Sequence, residues 1–418
     1  MPAELIPDFN CLIASYNVRV PVGTPFHEKT LALCESLSYR DWAGYYAVSS
    51  YEPHHEHEYN AIRNATALLD VSPLFKYSFS GKDAAACIDH MITRDALRLD
   101  VGQVIYTPWC NEHGQVIDDG TVARLEENRF RWTAAEPNLR WFRQNAAGLD
   151  VAIEDVSEQI AALALQGPTS ASVLTAAGVD ISALKYFRIM RGTIAGASVE
   201  ISRTGYTGDL GYEVWMPRDD AARVWDALVA AGAPYDITPT GLLALDVARI
   251  EAGLLLIDVD FFSAKKALTA SQLYSPLEMG LDRLVDFNKE RFIGRTALAA
   301  ERVRGSRKRI VGVQFHWPDV EVLYDAVGLP PLATATASRV AVPVRAAGRQ
   351  IGRLTSSTWS PILKKMIGLA TIDGAHAIAG ARVEIEHTVD AARHYVGATI
   401  VDTPFFHPRR KTETPAKI

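Results

Sequence analysis

A chain of 418 residues with 48% hydrophobic and 22% charged residues is long enough for about three domain-sized units with real cores, and it is neither disordered nor fibrous. Its net charge of -6 argues against a nucleic-acid scaffold, which needs a basic face, so no nucleic-acid partner is expected. The cysteines Cys11, Cys34, Cys87 and Cys110 are isolated, which points to reduced thiols in the cytoplasm and not to a zinc site or disulfide framework. The N-terminal residues show no basic stretch before an apolar core, and no apolar run is long enough to cross a bilayer, so neither export nor a membrane partner is expected.

In chain order, residues 1–50 read as an irregular, aromatic N-terminal extension with Tyr39, Trp42, Tyr45 and Tyr46 close together. A helix is predicted over 56–68, leading into a strand over 76–80. The run His54-His55-Glu56-His57-Glu58 looks metal-like, but it sits where a helix begins. Acidic residues there complement the helix dipole, and a spacing of two is wrong for one helical face, so solvated histidines and no metal are expected.

Residues 199–216 are the most informative stretch. Two alternating apolar runs flank a turn with Gly205, Gly208 and Gly211, a pattern of strand, tight loop and strand. Tyr212, Val214 and Met216 share one face of the second strand, leaving Glu213 and Trp215 on the other. Glu213 beside the loop residue Tyr206 suits a flat heterocycle whose edge donates two hydrogen bonds, as a 2-amino-4-oxo-pyrimidine does. An ordinary hairpin with a solvated glutamate fits the same pattern.

Residues 219–231 form an amphipathic helix, with Ala221, Val224, Trp225 and Leu228 on its apolar face. In the helix opened by Thr240, Leu243, Val247, Ile250 and Leu254 make the core stripe, with Leu245 and Arg249 on a different face. The polar stretch 301–309 reads as a boundary. Beyond it, short strands at 310–315, 340–345, 351–356, 382–386 and 394–401 suggest a small β-barrel. The expected division is an extension at 1–50, a two-lobed region at 51–300, the barrel at 306–405 and a mobile tail at 406–418. Lys364-Lys365 reads as a surface pair.

Arg203-Thr-Gly-Tyr-Thr-Gly-Asp-Leu-Gly-Tyr-Glu resembles the signature loop of the aminomethyltransferase family, whose type member is the glycine cleavage T-protein. The likeness continues through Asp70-Val71-Ser72, Thr93-Arg94-Asp95, Tyr106 with Asn111-Glu112-His113-Gly114, Ile117-Asp118-Asp119 and Ala164-Leu165-Gln166-Gly167-Pro168. Arg249-Ile250-Glu251-Ala252-Gly253, Val285-Asp286-Phe287-Asn288-Lys289 and Thr355-Ser356-Ser357-Thr358-Trp359-Ser360-Pro361 complete an ordered series over most of the chain.

The resemblance implies an α+β, three-lobed ring, with folate-binding N-terminal lobes plus the C-terminal barrel, and tetrahydrofolate at its centre. It places Glu213 and Tyr206 on the pterin, Asp119 beside the reactive nitrogens, and Tyr106 and Tyr186 among the ligand-site tyrosines. Two departures stand out. Pro73-Leu74 replaces a His-Met pair, and Leu245 replaces an arginine counted among the family's ligand contacts, leaving Arg249 as the cation for any carboxylate it would have met.

These departures favour the branch of the family that takes methyl groups from small N-, O- or S-methylated donors and passes them to tetrahydrofolate. The expected function is therefore a tetrahydrofolate-dependent demethylase. Tyr45, Tyr46, Phe75, Trp109 and Trp359 are candidates for the aromatic wall of an onium or methoxyarene donor, although each equally suits packing. The alternatives are aminomethyl transfer from a lipoyl carrier protein and non-catalytic folate binding. Against the last, the Lys-Gly-Cys-Tyr motif of the folate-binding group is absent. No Gly-x-Gly-x-x-Gly follows an early strand, so the flavin domain of the family's oxidases is not expected.

Overall fold

The computed structural model describes residues 20–415, so Cys11, the N-terminal segment and residues 416–418 lie outside the described residues. Among the described residues nineteen strands are numbered in chain order. A hairpin of β1 (Ser38–Trp42) and β2 (Tyr45–Ser50) comes first, followed by β3 (Thr66–Asp70). Next come β4 (Phe75–Ser80), β5 (Val104–Cys110), β6 (Val116–Glu126), β7 (Arg129–Ala134) and β8 (Ala152–Asp155). They are followed by β9 (Ile160–Gln166), β10 (Ile189–Ile194), β11 (Ala197–Ser202), β12 (Gly211–Pro217) and β13 (Ile237–Pro239). The last six are β14 (Lys308–Phe315), β15 (Val342–Ala346), β16 (Arg349–Ser360), β17 (Lys365–Asp373), β18 (Arg382–Val389) and β19 (Ala392–Val401).

Beyond the β1–β2 hairpin, the described residues build two larger sheets and a barrel, in keeping with the expected α+β class. One sheet has the order β10-β11-β12-β9-β3-β13, with only the β3–β13 pair parallel. The second is antiparallel, β5-β6-β7-β4-β8. The third closes as β14-β17-β16-β15-β18-β19. Alternation decides which faces are dry. Leu163, Leu165, Tyr212, Val214 and Met216 point from the six-stranded sheet onto helices Ser170–Ala176 and Ala221–Gly232. Tyr77, Phe79, Val122 and Trp132 point from the five-stranded sheet onto helices Ala84–Met91 and Leu139–Asn145. The opposite faces of these two sheets, which carry Glu200, Glu213, Arg131 and Thr133, meet each other. That polar seam positions the candidate site.

Several boundaries differ from expectation for physical reasons. The helix predicted over 56–68 ends as Glu56–Asn64, because Ala67, Leu68 and Leu69 are worth more buried in β3 between β9 and β13. Residues 20–50 are not irregular: they hold a helix, His27–Leu33, and the β1–β2 hairpin. Strand β17 was not anticipated. Ile367 and Leu369 pack outward on the other lobes while Ala370 and Ile372 fill the barrel, so both faces are apolar and no alternation shows. The histidine run is not uniformly solvated either. His55 is buried against the carbonyl of Ala335, and Glu58 is buried, accepting backbone N–H groups from Tyr51, Glu52 and Gly241.

The tail expected to be mobile is tied down over residues 406–415. The ring of Phe406 lies 4.8 Å from the Arg63 guanidinium. Arg410 pairs with buried Asp209 at 2.6 Å and 2.9 Å, and Arg203 donates to the carbonyls of Arg410, Lys411 and Glu413. Arg203 and Asp209 of the signature loop, together with Arg63, thus find partners in a segment that has no apolar pattern of its own. Arg410→Ala should lower stability by about 1.5–3 kcal/mol, since these hydrogen bonds carry charge. Its urea midpoint should fall and residues 406–415 should become accessible to proteases.

Candidate active site

The signature loop is built around Gln166 at the end of β9. Its amide N–H groups donate to the carbonyls of Thr204 and Tyr212, both at 3.2 Å, and its amide oxygen accepts from the Thr207 hydroxyl at 2.8 Å. A Cβ at Gly205 or Gly211 would lie within 2.2 Å of that pinned amide, which is why both positions need glycine.

From this loop β12 carries Glu213, directly opposite Ser202 of β11. One carboxylate oxygen, Oε2, accepts the Thr204 hydroxyl at 2.5 Å and the Ser202 hydroxyl at 3.4 Å. Oε1 accepts no hydrogen bond from the described residues, and Glu213 lines a small cleft together with Val104, Thr121, Arg131, Thr133 and Trp215. Burial pushes the Glu213 carboxyl up, while Thr204, the positive charge of Arg131 and Ser202 pull it down.

In the five-stranded sheet, Tyr106 of β5 stands diagonal to Asp119 of β6, because Tyr106 pairs with Thr121 and Pro108 with Asp119. The Tyr106 hydroxyl donates to Asp119 Oδ2. Burial raises the Asp119 carboxyl to about 6, opposed by that tyrosine hydrogen bond. Neighbouring Asp118 is wholly buried and points the other way, accepting the backbone N–H groups of Asp119 and Glu136 and the side-chain amide of Asn138. Tyr206 lies within electrostatic reach of both Tyr106 and Asp119, with its hydroxyl donating to the Leu255 carbonyl. Tyr186 is half-buried, edge-on to Phe187 at 4.7 Å.

Not every candidate is free for a ligand. Arg249 is 1% exposed and spends its guanidinium on Asp246, Asp260, Ser356 and the Leu254 carbonyl. It is a tie between helix Leu242–Glu251 and the barrel, not the free cation expected to meet a ligand. Asp246, next to Leu245, is satisfied by Arg249 at 3.0 Å and by Arg339 at 2.6 Å. Leu245 packs half-buried on the apolar cluster that also receives Trp42 and Leu74.

In the Pro73-Leu74 loop, Lys76 fastens the backbone. Its buried ammonium donates to the carbonyls of Ser72 at 2.7 Å and Leu74 at 2.8 Å, and burial lowers it to about 7.

The proposed aromatic wall does not assemble. Trp109 is fully buried at 4.9 Å from Trp132, because strand parity turns it to the helix-covered face, away from Tyr106. Trp359 packs edge-on against Trp317 at 4.8 Å, Phe75 stacks on Tyr77, and Tyr46 sits with His27 and Tyr39. Tyr45 lies beside Glu158 and Arg218. None of these has a hydrogen bond or ring contact to Asp119 or Glu213 among the described residues. Sequence reading also passed over Ser202, Thr204 and Arg131. The first two carried a readable signal, since they flank Arg203 on the same parity as a strand partner facing Glu213.

Residues 25–289 match the family model described as the GCVT N-terminal domain, and residues 326–407 match that of the glycine cleavage T-protein C-terminal barrel domain. The chain belongs to the aminomethyltransferase family. It is 35% identical over 360 residues, 85% of this chain and 88% of the relative, to an aminomethyltransferase of Caldanaerobacter subterraneus subsp. tengcongensis. It is also 36% identical over 369 residues to a trimethylamine-oxide aldolase of Ruegeria pomeroyi, covering 84% of this chain and 43% of that protein. The fold matches the glycine cleavage system aminomethyltransferase T from Bartonella henselae with a TM-score of 0.78 at 23% identity, over 92% of this chain and 98% of that one. As a member of the aminomethyltransferase family, the protein is an enzyme of one-carbon transfer. No helix among the described residues is long and apolar enough to cross a membrane.

Proposed function

We propose that this aminomethyltransferase-family enzyme moves a one-carbon unit onto N5 of tetrahydrofolate held in the seam between its two sheets. The observation that carries the reading is a pair of carboxylates on facing sheets, one with a free acceptor edge and one half-buried under a tyrosine hydroxyl. Glu213 Oε1 suits the paired N–H donors of a pterin edge, and the absence of a competing partner leaves it free to accept them. Positive charge that develops near the reacting nitrogen is stabilised by ionised Asp119 in a water-poor site. Tyr106 fixes the Asp119 carboxylate, so little reorganisation is needed as the charge forms.

For the donor, the relatives named aminomethyltransferase favour an aminomethyl group delivered by a lipoyl carrier protein. A second reading, demethylation of a small methylated compound, is favoured by Leu245 and by the Pro73-Leu74 loop clamped by Lys76. An apolar group packed on the same cluster as Trp42 and Leu74 suits a methyl-bearing donor better than an anionic one.

Mass spectrometry of the folate after anaerobic incubation separates the two. Methylene-tetrahydrofolate and ammonia formed only with the aminomethyl-lipoyl carrier would establish the first reading. Methyl-tetrahydrofolate formed from a pooled panel of sulfonium, betaine, N-methyl amino acid and methoxyarene donors would establish the second. No modified folate from either would exclude both.

A further inference from the structure

Two hydroxyls and an indole line up behind Glu213. Trp215 Nε1 donates to Ser202 Oγ at 3.2 Å, Ser202 Oγ lies 2.7 Å from Thr204 Oγ1, and Thr204 Oγ1 lies 2.5 Å from Glu213 Oε2. The ends of this chain are fixed. An indole N–H can only donate, so Ser202 accepts from Trp215. The Thr204 hydroxyl donates to Glu213 Oε2, and the Ser202 hydroxyl has Thr204 Oγ1 at 2.7 Å and Oε2 itself at 3.4 Å as its acceptors. Every hydrogen bond then runs towards Oε2 and none ends on Oε1. A protonated Glu213 would carry its proton on Oε1, because Oε2 already accepts from Thr204. Arg131, 5% exposed, stands over the Trp215 ring at 4.3 Å and pairs with Glu200, which holds the indole at the head of the chain.

We propose that Trp215, Ser202 and Thr204, clamped by Arg131, form a one-way hydrogen-bond chain that holds Glu213 as an acceptor-only group with Oε1 turned to the ligand's paired N–H donors. These are positioning residues. They act through Glu213 and select ligands whose flat ring carries an amino group beside a ring N–H. A neutral acid in the same place would offer an O–H to those N–H groups and repel them. The inference rests on the reading of this cleft as the folate site.

The test is anaerobic calorimetry with tetrahydrofolate and with an analogue lacking the 2-amino group, on the full chain. Glu213→Gln should weaken tetrahydrofolate binding by about 100-fold, the loss of a charge-assisted pair. Thr204→Val should weaken it about 10-fold and Ser202→Ala somewhat less, while the double variant should be no worse than Thr204→Val alone, because both cut one chain. Thr204→Ser, which keeps the hydroxyl, should bind within about twofold of the parent protein. With the 2-desamino analogue the Thr204→Val penalty should largely vanish, a discrimination that general damage to the fold would not produce.

Thr204→Val and Ser202→Ala binding tetrahydrofolate like the parent, while Glu213→Gln does not, would overturn the chain and leave the folate reading standing. An equal Thr204→Val penalty for both ligands would also overturn it. Failure of the parent protein itself to bind tetrahydrofolate would instead overturn the reading beneath it, and the proposal with it. Trp215→Phe removes only the first donor and provides an independent variant should the hydroxyl changes impair folding.

Discussion

Arg63→Ala should destabilise the protein by about 3–5 kcal/mol, because it breaks a buried ion pair and leaves uncompensated charge behind. Arg63 is 2% exposed and Glu251 is fully buried. The guanidinium donates to Glu251 Oε2 at 2.9 Å and 2.6 Å, to Asp209 at 3.2 Å and to the carbonyls of Thr207 and Ala248. Glu251 also accepts the hydroxyls of Tyr59, at 2.6 Å, and of Ser360 in β16.

One cluster thus joins the helix Glu56–Asn64, the signature loop, the helix Leu242–Glu251 and the barrel. Glu251→Ala should cost about as much, and the double variant clearly less than the sum, since each removes the reason for the other's penalty. Chemical denaturation monitored by tryptophan fluorescence checks this. A double variant that loses the full sum would show that the two residues stabilise the fold independently. A neutral Arg63→Ala would show that the cluster is hydrated, and its ion pair of surface strength.

The residues of that cluster explain what the sequence could and could not disclose. The β11–β12 hairpin was legible because side-chain parity and glycine spacing are local, and the same parity correctly put Glu213 and Trp215 on the face opposite Tyr212. The barrel was legible wherever one strand face was polar, and illegible at β17, where both faces are buried. Tyr106 beside Asp119 followed from family blocks in order. By contrast, the partners of Arg63 lie 146 and 188 residues away in sequence, and Arg410 reaches Asp209 across 201 residues. No local pattern encodes such pairings, so the tail read as unpacked. Arg249 read as a free cation although Asp246 lies three residues before it, because its burial against Ser356 of the barrel, 107 residues on, is not local. Trp109 failed for a simpler reason. An aromatic looks the same whether it walls a site or fills a core, and only strand parity relative to Tyr106 decides.

Asp119→Asn should lower turnover by roughly 100- to 1000-fold, the range seen when a preorganised charge-stabilising group is lost at a reacting centre. The pH dependence gives the sharper test. Burial raises the Asp119 carboxyl to about 6, above its ordinary value of 3.8, so the fraction ionised climbs as pH rises through about 6. If ionised Asp119 is what stabilises the developing charge, kcat/KM should have a rising acid limb centred near pH 6. Asp119→Asn should lack that limb, with a low and flat rate between pH 5 and 7.

Stability should move in the opposite sense. A carboxyl whose folded value is raised favours the folded state while it is protonated, fully so below its unfolded value, and that contribution is lost as pH rises through 6. Above pH 7 the folded protein therefore carries the cost of an ionised, half-buried carboxylate, at most about 2–3 kcal/mol for a shift of this size. Asparagine keeps an acceptor for the Tyr106 hydroxyl without the charge, so the variant should be more stable than the parent at pH 8 and nearly equal to it at pH 4. Lost turnover with gained stability is the mark of a group held for chemistry at the expense of the fold. If Asp119→Asn instead loses stability at pH 8, the carboxylate is structural. If it keeps the acid limb, the titrating group is another, and buried Asp118, held well above the usual carboxylate range by burial and by the Asp119 charge, would be the next to change.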